Sequence, residues 1–231
     1  GMTNRLLARI ADQVMTGFPD SFPGIDNRVV GNPVRPEISA LPDPAIRFAG
    51  REGALRVLIL GGSQGARAIN AALPSVFAGL QTSHSFAIRH QCGEKMLEEA
   101  RSAYATAGVE ASIEPFIQDM AQAYGWADVV IGRAGALTVA EICAAGVAGI
   151  LIPLPTAVDD HQARNAEYLQ HSGGGVWFRQ DEHLARNLAR ELAKLAEEPQ
   201  RRLAMAKASR TAAYPQAAND VADLIVREMA A

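Results

Sequence analysis

Leu58-Ile59-Leu60-Gly61-Gly62-Ser63-Gln64-Gly65-Ala66-Arg67 is a hydrophobic run that breaks into a glycine-rich turn and then takes up a helical pattern. An apolar strand stopped by glycine and followed by a helix is the signature of a βα junction in a parallel sheet. Backbone N–H groups in such a turn, together with the positive end of the following helix, can come close to an anion, and Ser63 adds a hydroxyl. Gly61, Gly62 and Gly65 therefore read as a phosphate loop. A tight turn that needs glycine only to reach positive φ would look the same, so both readings stand. No Gly-Lys-Ser/Thr follows, and Ser63 occupies a position where the GxGxxG fingerprint requires glycine, which weakens ATPase and dehydrogenase readings alike.

Outward from this turn the grammar is regular. Strand-like runs at Leu55–Leu60, Phe86–His90, Ala111–Glu114, Asp128–Ile131 and Gly149–Ile152, with a weaker one near Val176–Phe178, alternate with helical patterns. This alternation predicts βαβ units with right-handed crossovers: an α/β, Rossmann-like parallel sheet covered by helices on both faces. Three helices are expected at the end, over Glu182–Glu197, Pro199–Ala212 and Gln216–Glu228, with Pro199 and Pro215 as start signals. Before the sheet, Leu6, Leu7, Ile10 and Val14 recur at helical spacing and predict an amphipathic helix over Thr3–Met15. Gly17–Pro44 has the proline-rich composition of a linker around one short strand at Arg28–Val30.

Composition narrows the function classes. A chain of 231 residues that is 48% hydrophobic can bury a sizeable core, and 22 basic against 25 acidic side chains leave no cationic footprint for nucleic acid. Cys92 and Cys143 have no metal-type or CxxC spacing and read as reduced thiols. The longest apolar run, Val147–Leu154, is strand-sized and interrupted by Gly149 and Pro153, too short to cross a bilayer.

Two further junctions carry candidate chemistry. In Gly132-Arg133-Ala134-Gly135-Ala136-Leu137-Thr138-Val139-Ala140-Glu141 a second glycine-bearing strand end enters a helix. Two such junctions in one sheet describe the crevice where α/β folds bind nucleotides. Thr138 and Glu141 also fit a capping box, which would consume the carboxylate; a helix starting earlier, at Ala136, would leave Glu141 to accept from a ribose diol. The third junction, Pro153–Asn165, brings Gln162 or His161 onto one helix face with Asn165, amides suited to sugar hydroxyls and an acetamido group. Asp159, Asp160 and His161 lack a persuasive metal-ligand spacing and read more naturally as helix-start residues. Arg35, between two prolines, can reach a diphosphate or simply be a solvated cation. Phe116 and Ile117 either flank a base or belong to the core. His84, His90, His171 and His183 stand isolated, and a surface or structural role outweighs catalysis for each.

Taken together, Gly31-Asn32-Pro33-Val34-Arg35, Gly61–Arg67, Phe116-Ile117-Gln118-Asp119-Met120, Ala136–Glu141 and Asp160-His161-Gln162 with Asn165 resemble, in order, the motifs of the MurG-type UDP-N-acetylglucosamine transferases. These enzymes add N-acetylglucosamine to an undecaprenyl-diphosphate-linked muramyl pentapeptide in peptidoglycan synthesis. The resemblance implies one half of a GT-B architecture, cytoplasmic and acting at the inner face of the plasma membrane, metal-independent and without a cofactor. It implies that Arg35 and Ser63 contact the diphosphate, the Ile117 backbone holds uracil and Met120 covers it. Ala136, Leu137 and Thr138 would bring helix-start amides to the diphosphate and sugar, with Val139 and Ala140 in the same stretch. Glu141 would take the ribose hydroxyls, and Gln162 with Asn165 the N-acetylglucosamine. His161 departs from the glutamine of relatives.

The family's glycine-rich, histidine-bearing acceptor loop has no match in this sequence. The resemblance accordingly divides the chain into residues 1–30 as a remnant of the acceptor domain, 31–54 as an interdomain linker and 55–231 as the donor-binding domain, with the C-terminal helix packing back on the remnant. It implies a chain that binds UDP-N-acetylglucosamine, meets a lipid-linked acceptor only when the other half is supplied, and is inactive alone. Leu6, Leu7, Ile10 and Val14, without their partners, would drive self-association. A non-catalytic UDP-sugar-binding module, or a related UDP-sugar transferase or epimerase, is the alternative.

Overall fold

The computed structural model describes every residue except 1, 20, 23, 62–65, 156–159 and 231. Along the chain run α1 (Met2–Leu7), β1 (Met15–Thr16), β2 (Arg28–Val29), α2 (Pro36–Ser39), α3 (Pro44–Phe48), β3 (Leu55–Leu60), α4 (Arg67–Leu80) and β4 (Phe86–Gln91). They are followed by α5 (Leu97–Ala107), β5 (Ser112–Glu114), α6 (Met120–Trp126), β6 (Val129–Gly132), α7 (Ala136–Ala145) and β7 (Ala148–Leu151). The last elements are α8 (His161–His171), β8 (Gly175–Trp177), α9 (Leu184–Glu197), α10 (Pro199–Thr211) and α11 (Ala217–Met229).

Six strands form one parallel sheet in the order β5-β4-β3-β6-β7-β8. The chain winds outward from β3 in one direction and from β6 in the other, so the order reverses between these two strands. Their register pairs Leu60 with Gly132, which sets the two glycine junctions side by side at the carboxyl edge. Gly132 leaves little room for a side chain there, since a Cβ would lie 3.1 Å from Leu60 O.

Both faces of the sheet are covered, which is why the central strands β3, β6 and β7 are largely apolar. Leu58, Leu60 and Val130 pack with Ile38, Tyr124, Val139, Ile142 and Leu169 on one face. Val57, Ile59, Val129 and Ile131 pack with Ile69, Phe77, Leu188 and Leu192 on the other. Residues adjacent on a strand point to opposite faces, so a run buried on both sides is mostly apolar, and a polar side chain in it, such as His90, needs buried partners. Cys92 and Cys143 are free and buried, Cys143 in the first of these layers and Cys92 in a smaller cluster with Met96 and Ala100.

The stretch with linker composition is more ordered than its prolines suggest. Pro36 and Pro44 each open a short helix, where the missing N–H costs nothing, and Asp43 caps α3 by accepting from Ala45 N at 2.7 Å. Arginines anchor this segment to the sheet domain. Arg47 donates to Ala145 O (2.6 Å) and Gly146 O at the carboxyl end of α7, joined there by Arg210, which also holds Ser39 O and Leu41 O. Arg51 reaches Gly125 O at 2.6 Å and the buried Asp128 carboxylate at 2.7 Å, just past α6. Guanidinium groups suit helix carboxyl ends because they both satisfy orphan carbonyls and complement the dipole.

The N-terminal helix differs from the expectation. It stops at Leu7 instead of continuing to Met15, and Leu6, Leu7 and Ile10 are 59%, 54% and 80% exposed. The apolar spacing is present, but these three side chains stay largely exposed, and short helices in water need packing to persist. Val14 is half-buried beside β1, and Phe18 reaches the sheet domain, its ring centroid 4.8 Å from that of Tyr168.

Candidate functional site

The candidate site is built from loops at the carboxyl edge of the sheet. At the first junction, Gly61 N donates to Gln91 O at 2.8 Å, and a Cβ on Gly61 would meet that oxygen at 2.8 Å and Asn70 Oδ1 at 3.2 Å. Close approach of two strand ends thus requires glycine at this position. Gly62, Ser63 and Gly65 lie outside the described residues. Below the turn is a buried chain: Asn70 Nδ2 donates to Cys92 O (3.1 Å), Asn70 Oδ1 lies 3.0 Å from His90 Nε2, and His90 Nδ1 lies 3.0 Å from the Tyr104 hydroxyl. With Asn70 Oδ1 as acceptor, Nε2 carries the proton and Nδ1 accepts from Tyr104. Burial holds His90 neutral, pushing its pKa down to about 4. His90 is therefore a structural histidine under the first junction.

At the second junction the helix starts at Ala136, with Gly135 as its N-cap. Thr138 and Glu141 are thus inside the helix, and the capping-box reading is set aside. Ala136, Leu137 and Thr138 provide the first turn, and Val139 packs in the core. The freed carboxylate meets two donors: Arg35 Nη2 bonds Glu141 Oε1 at 2.9 Å, and the Tyr124 hydroxyl bonds Oε2 at 3.0 Å. Arg35 and Glu141, 106 residues apart, are brought together because α2 packs on α7. Tyr124 is fully buried, and burial followed by the adjacent carboxylate raises its pKa well above the ordinary tyrosine value. It stays protonated and can only donate to Glu141.

At the third junction Gln162 Oε1 accepts from Leu154 N at 3.0 Å, and Asn165 Nδ2 donates to Ala134 O at 3.0 Å. Each amide ties down one loop and keeps a complementary group: the Gln162 NH2 as donor, the Asn165 Oδ1 as acceptor. Asp160 occupies the N-cap of α8 at φ +50° without a side-chain cap bond, a backbone state that Asp tolerates better than most residues. Asp159 lies outside the described residues.

Beyond β5, the expected base-binding residues divide. Ile117 and Met120 are 1% and 8% exposed and belong to the core, whereas Phe116 is 54% exposed. The Ile117 N–H donates to Gln91 Oε1 at 3.2 Å. Sequence reasoning missed Tyr124, Gln91 and the anchors Arg47 and Arg51. For Tyr124 a signal existed, since a tyrosine on a buried helix face needs a partner for its hydroxyl; the arginines lie in a stretch whose prolines pointed to a linker.

A parallel sheet that reverses its strand order at two glycine junctions, with polar side chains gathered at that edge, defines the nucleotide-binding class of α/β domains. Residues 56–224 match the glycosyltransferase family 28 C-terminal domain, and the chain belongs to this family. It is 57% identical over 228 residues to the UDP-N-acetylglucosamine--N-acetylmuramyl-(pentapeptide) pyrophosphoryl-undecaprenol N-acetylglucosamine transferase of Xanthomonas campestris pv. campestris, covering 99% of this chain and 53% of the relative. The protein of that name from Xylella fastidiosa is 55% identical over 229 residues, covering 99% and 62%. Among solved structures, MurG of Acinetobacter baumannii superimposes with a TM-score of 0.86 at 38% identity, covering 98% of this chain and 63% of that one. UDP-GlcNAc 2-epimerase from Neisseria meningitidis, solved with UDP-GlcNAc bound, shares the fold at a TM-score of 0.60 and 13% identity, covering 98% and 64%. The chain thus spans about half the length of the first of these curated relatives.

Proposed function

We propose that this chain is the donor-binding half of an N-acetylglucosaminyltransferase that takes UDP-N-acetylglucosamine and delivers its sugar to a lipid-linked muramyl pentapeptide in peptidoglycan synthesis. The observation that carries the reading is the Glu141 carboxylate, freed from helix capping and held beside Arg35 at the point where the strand order reverses. The names of the relatives supply the substrate class. In this reading Arg35, Ser63 and the first-turn amides of α7, from Ala136 through Thr138, hold the diphosphate. Val139 and Ala140 continue that turn, and Gly61, Gly62 and Gly65 let the backbone approach. Glu141 accepts from the ribose hydroxyls, and the Ile117 backbone, through its carbonyl since its N–H is held by Gln91, forms the uracil end with Met120.

The two amides match an acetamido group by hydrogen-bond polarity. The free NH2 of Gln162 donates to its carbonyl or to a sugar hydroxyl, and Asn165 Oδ1 accepts from its N–H. Acting alone, the chain is expected to bind donor without transferring sugar. Glu141 is engaged by two donors, and His90 is buried and neutral, so neither is a base poised over an acceptor hydroxyl. In this reading the complete enzyme works at the cytoplasmic face of the plasma membrane; among the described residues no helix is long and apolar enough to cross one. We also assign self-association to the exposed Leu6, Leu7 and Ile10.

The test is thermal unfolding with candidate nucleotides. A ligand at about a hundred times its dissociation constant adds roughly 2.7 kcal/mol of stability. UDP-N-acetylglucosamine should raise the melting temperature visibly and UDP should do so less. A shift with ATP or NAD but none with the UDP-sugar overturns the assignment, and sugar transfer by the isolated chain overturns the half-enzyme reading.

A further inference from the structure

We propose that Tyr124 is a positioning residue for nucleotide recognition: its buried hydroxyl, bonded to Glu141 Oε2 while Arg35 holds Oε1, fixes the Glu141 carboxylate as a two-point acceptor for a ribose cis-diol. The inference rests on the nucleotide-donor reading above and assigns how the ribose is discriminated.

The argument begins with acceptor sites. An ionised carboxylate offers about four lone-pair positions, two on each oxygen. Arg35 and Tyr124 take one position on different oxygens, and each oxygen keeps one. Both partners are obligate donors in this setting: a guanidinium has no acceptor, and the phenol cannot ionise beside a carboxylate in a fully buried position. Both oxygens of Glu141 therefore face donors and serve as acceptors. Its two remaining sites point to a ligand that donates from two adjacent atoms, as vicinal hydroxyls do.

The second step is rigidity. Arg35 is about half exposed, and its ion pair alone is a weak restraint on the Glu141 rotamer. Tyr124 is fully buried and packs in the core that Val139, Ile142 and Leu58 share, so the hydroxyl that reaches Oε2 is a fixed point. Tyr124 also belongs to α6, which begins at Met120 on the uracil side, whereas Glu141 belongs to α7, which begins at the phosphate side. The bond spans the two helices at the position the ribose would occupy between base and diphosphate. A carboxylate fixed before binding loses less rotamer freedom when the diol arrives.

Binding of UDP and of 2′-deoxy-UDP to the wild-type chain, Tyr124→Phe, Glu141→Ala and the double variant, measured by calorimetry, tests the proposal. Tyr124→Phe is expected to weaken UDP about tenfold, the worth of one hydrogen bond to a charged group. It should weaken 2′-deoxy-UDP less, so that the preference for the ribonucleotide shrinks, and it should have no further effect in the Glu141→Ala background. Equal losses for the two nucleotides, or independent effects of the two substitutions, overturn the positioning role and leave the donor reading intact. Failure of the wild-type chain to bind UDP at all overturns both.

A second readout avoids any folding defect. The chain has four tyrosines, so 3-fluorotyrosine labelling gives resolvable resonances. The Tyr124 signal should shift on saturation with UDP and less with 2′-deoxy-UDP; an unmoved signal overturns the proposal.

Discussion

Gln162 and His90 show how a side chain can be read only with its partners. Gln162 spends its oxygen on Leu154 N and keeps its NH2. Gln162→Glu preserves that loop contact and removes the donor, so UDP-N-acetylglucosamine should bind about tenfold more weakly while UDP binds as before; equal weakening of both would place Gln162 in loop structure alone. His90 predicts a pH dependence. Its folded-state pKa of about 4 lies below the ordinary 6.5, because burial disfavours the charged ring. Between those values the unfolded chain binds a proton that the folded chain does not. Stability from this group is complete above pH 6.5 and falls as pH drops toward 4, by up to about 1.4 kcal/mol per pH unit. Urea unfolding at pH 7 and pH 5 measures the effect, and a flat profile over that window would show that His90 is not held neutral. From sequence, His90 was one of four isolated histidines, and its tautomer and neutrality became legible only when Asn70 and Tyr104 were seen on either side.

Among elements, α7 shows what a helix boundary decides. Its start at Gly135 and Ala136 releases Glu141 from capping, and its end is held by Arg47 and Arg210. Arg47→Met removes charge-assisted bonds to Ala145 O and Gly146 O and should cost about 1.5–3 kcal/mol. That corresponds to a melting temperature lowered by roughly 3–12 °C in a chain of this size. Unchanged melting would show that residues 31–54 are not anchored through Arg47. The strands were readable nearly to the residue, as Leu55–Leu60 shows, because a strand buried on both faces is made largely of apolar side chains. The short helices α2 and α3 were not. Pro36 and Pro44 carry the same start signal as Pro199, but four- and five-residue helices present too little periodic pattern to stand out.

At the scale of the whole molecule, the self-association proposed above rests on the exposed stripe of Leu6, Leu7 and Ile10. Burying one such side chain is worth about 1.5–3 kcal/mol, which sets the size of the drive in that proposal. The apparent mass from light scattering should rise with concentration for this chain. The triple variant Leu6→Gln, Leu7→Gln, Ile10→Gln should remain a monomer. A concentration-independent monomeric mass for both would remove the stripe as an interface.

The sequence by itself determined the fold class, the position of the glycine junctions at strand ends and the family, because these depend on patterns between neighbouring residues: apolar runs, glycines where a Cβ does not fit, and ordered short motifs. Tertiary structure alone decided which reading of Glu141 holds, since that depended on the residue at which α7 begins and on Arg35 and Tyr124 arriving from two other parts of the chain. It also decided that the proline-rich segment is fastened by arginines to the ends of α6 and α7. Hydrogen bonds between residues 17 to 106 positions apart leave no periodic trace in the sequence; they exist only after the sheet has set its layers and brought the helix ends within reach.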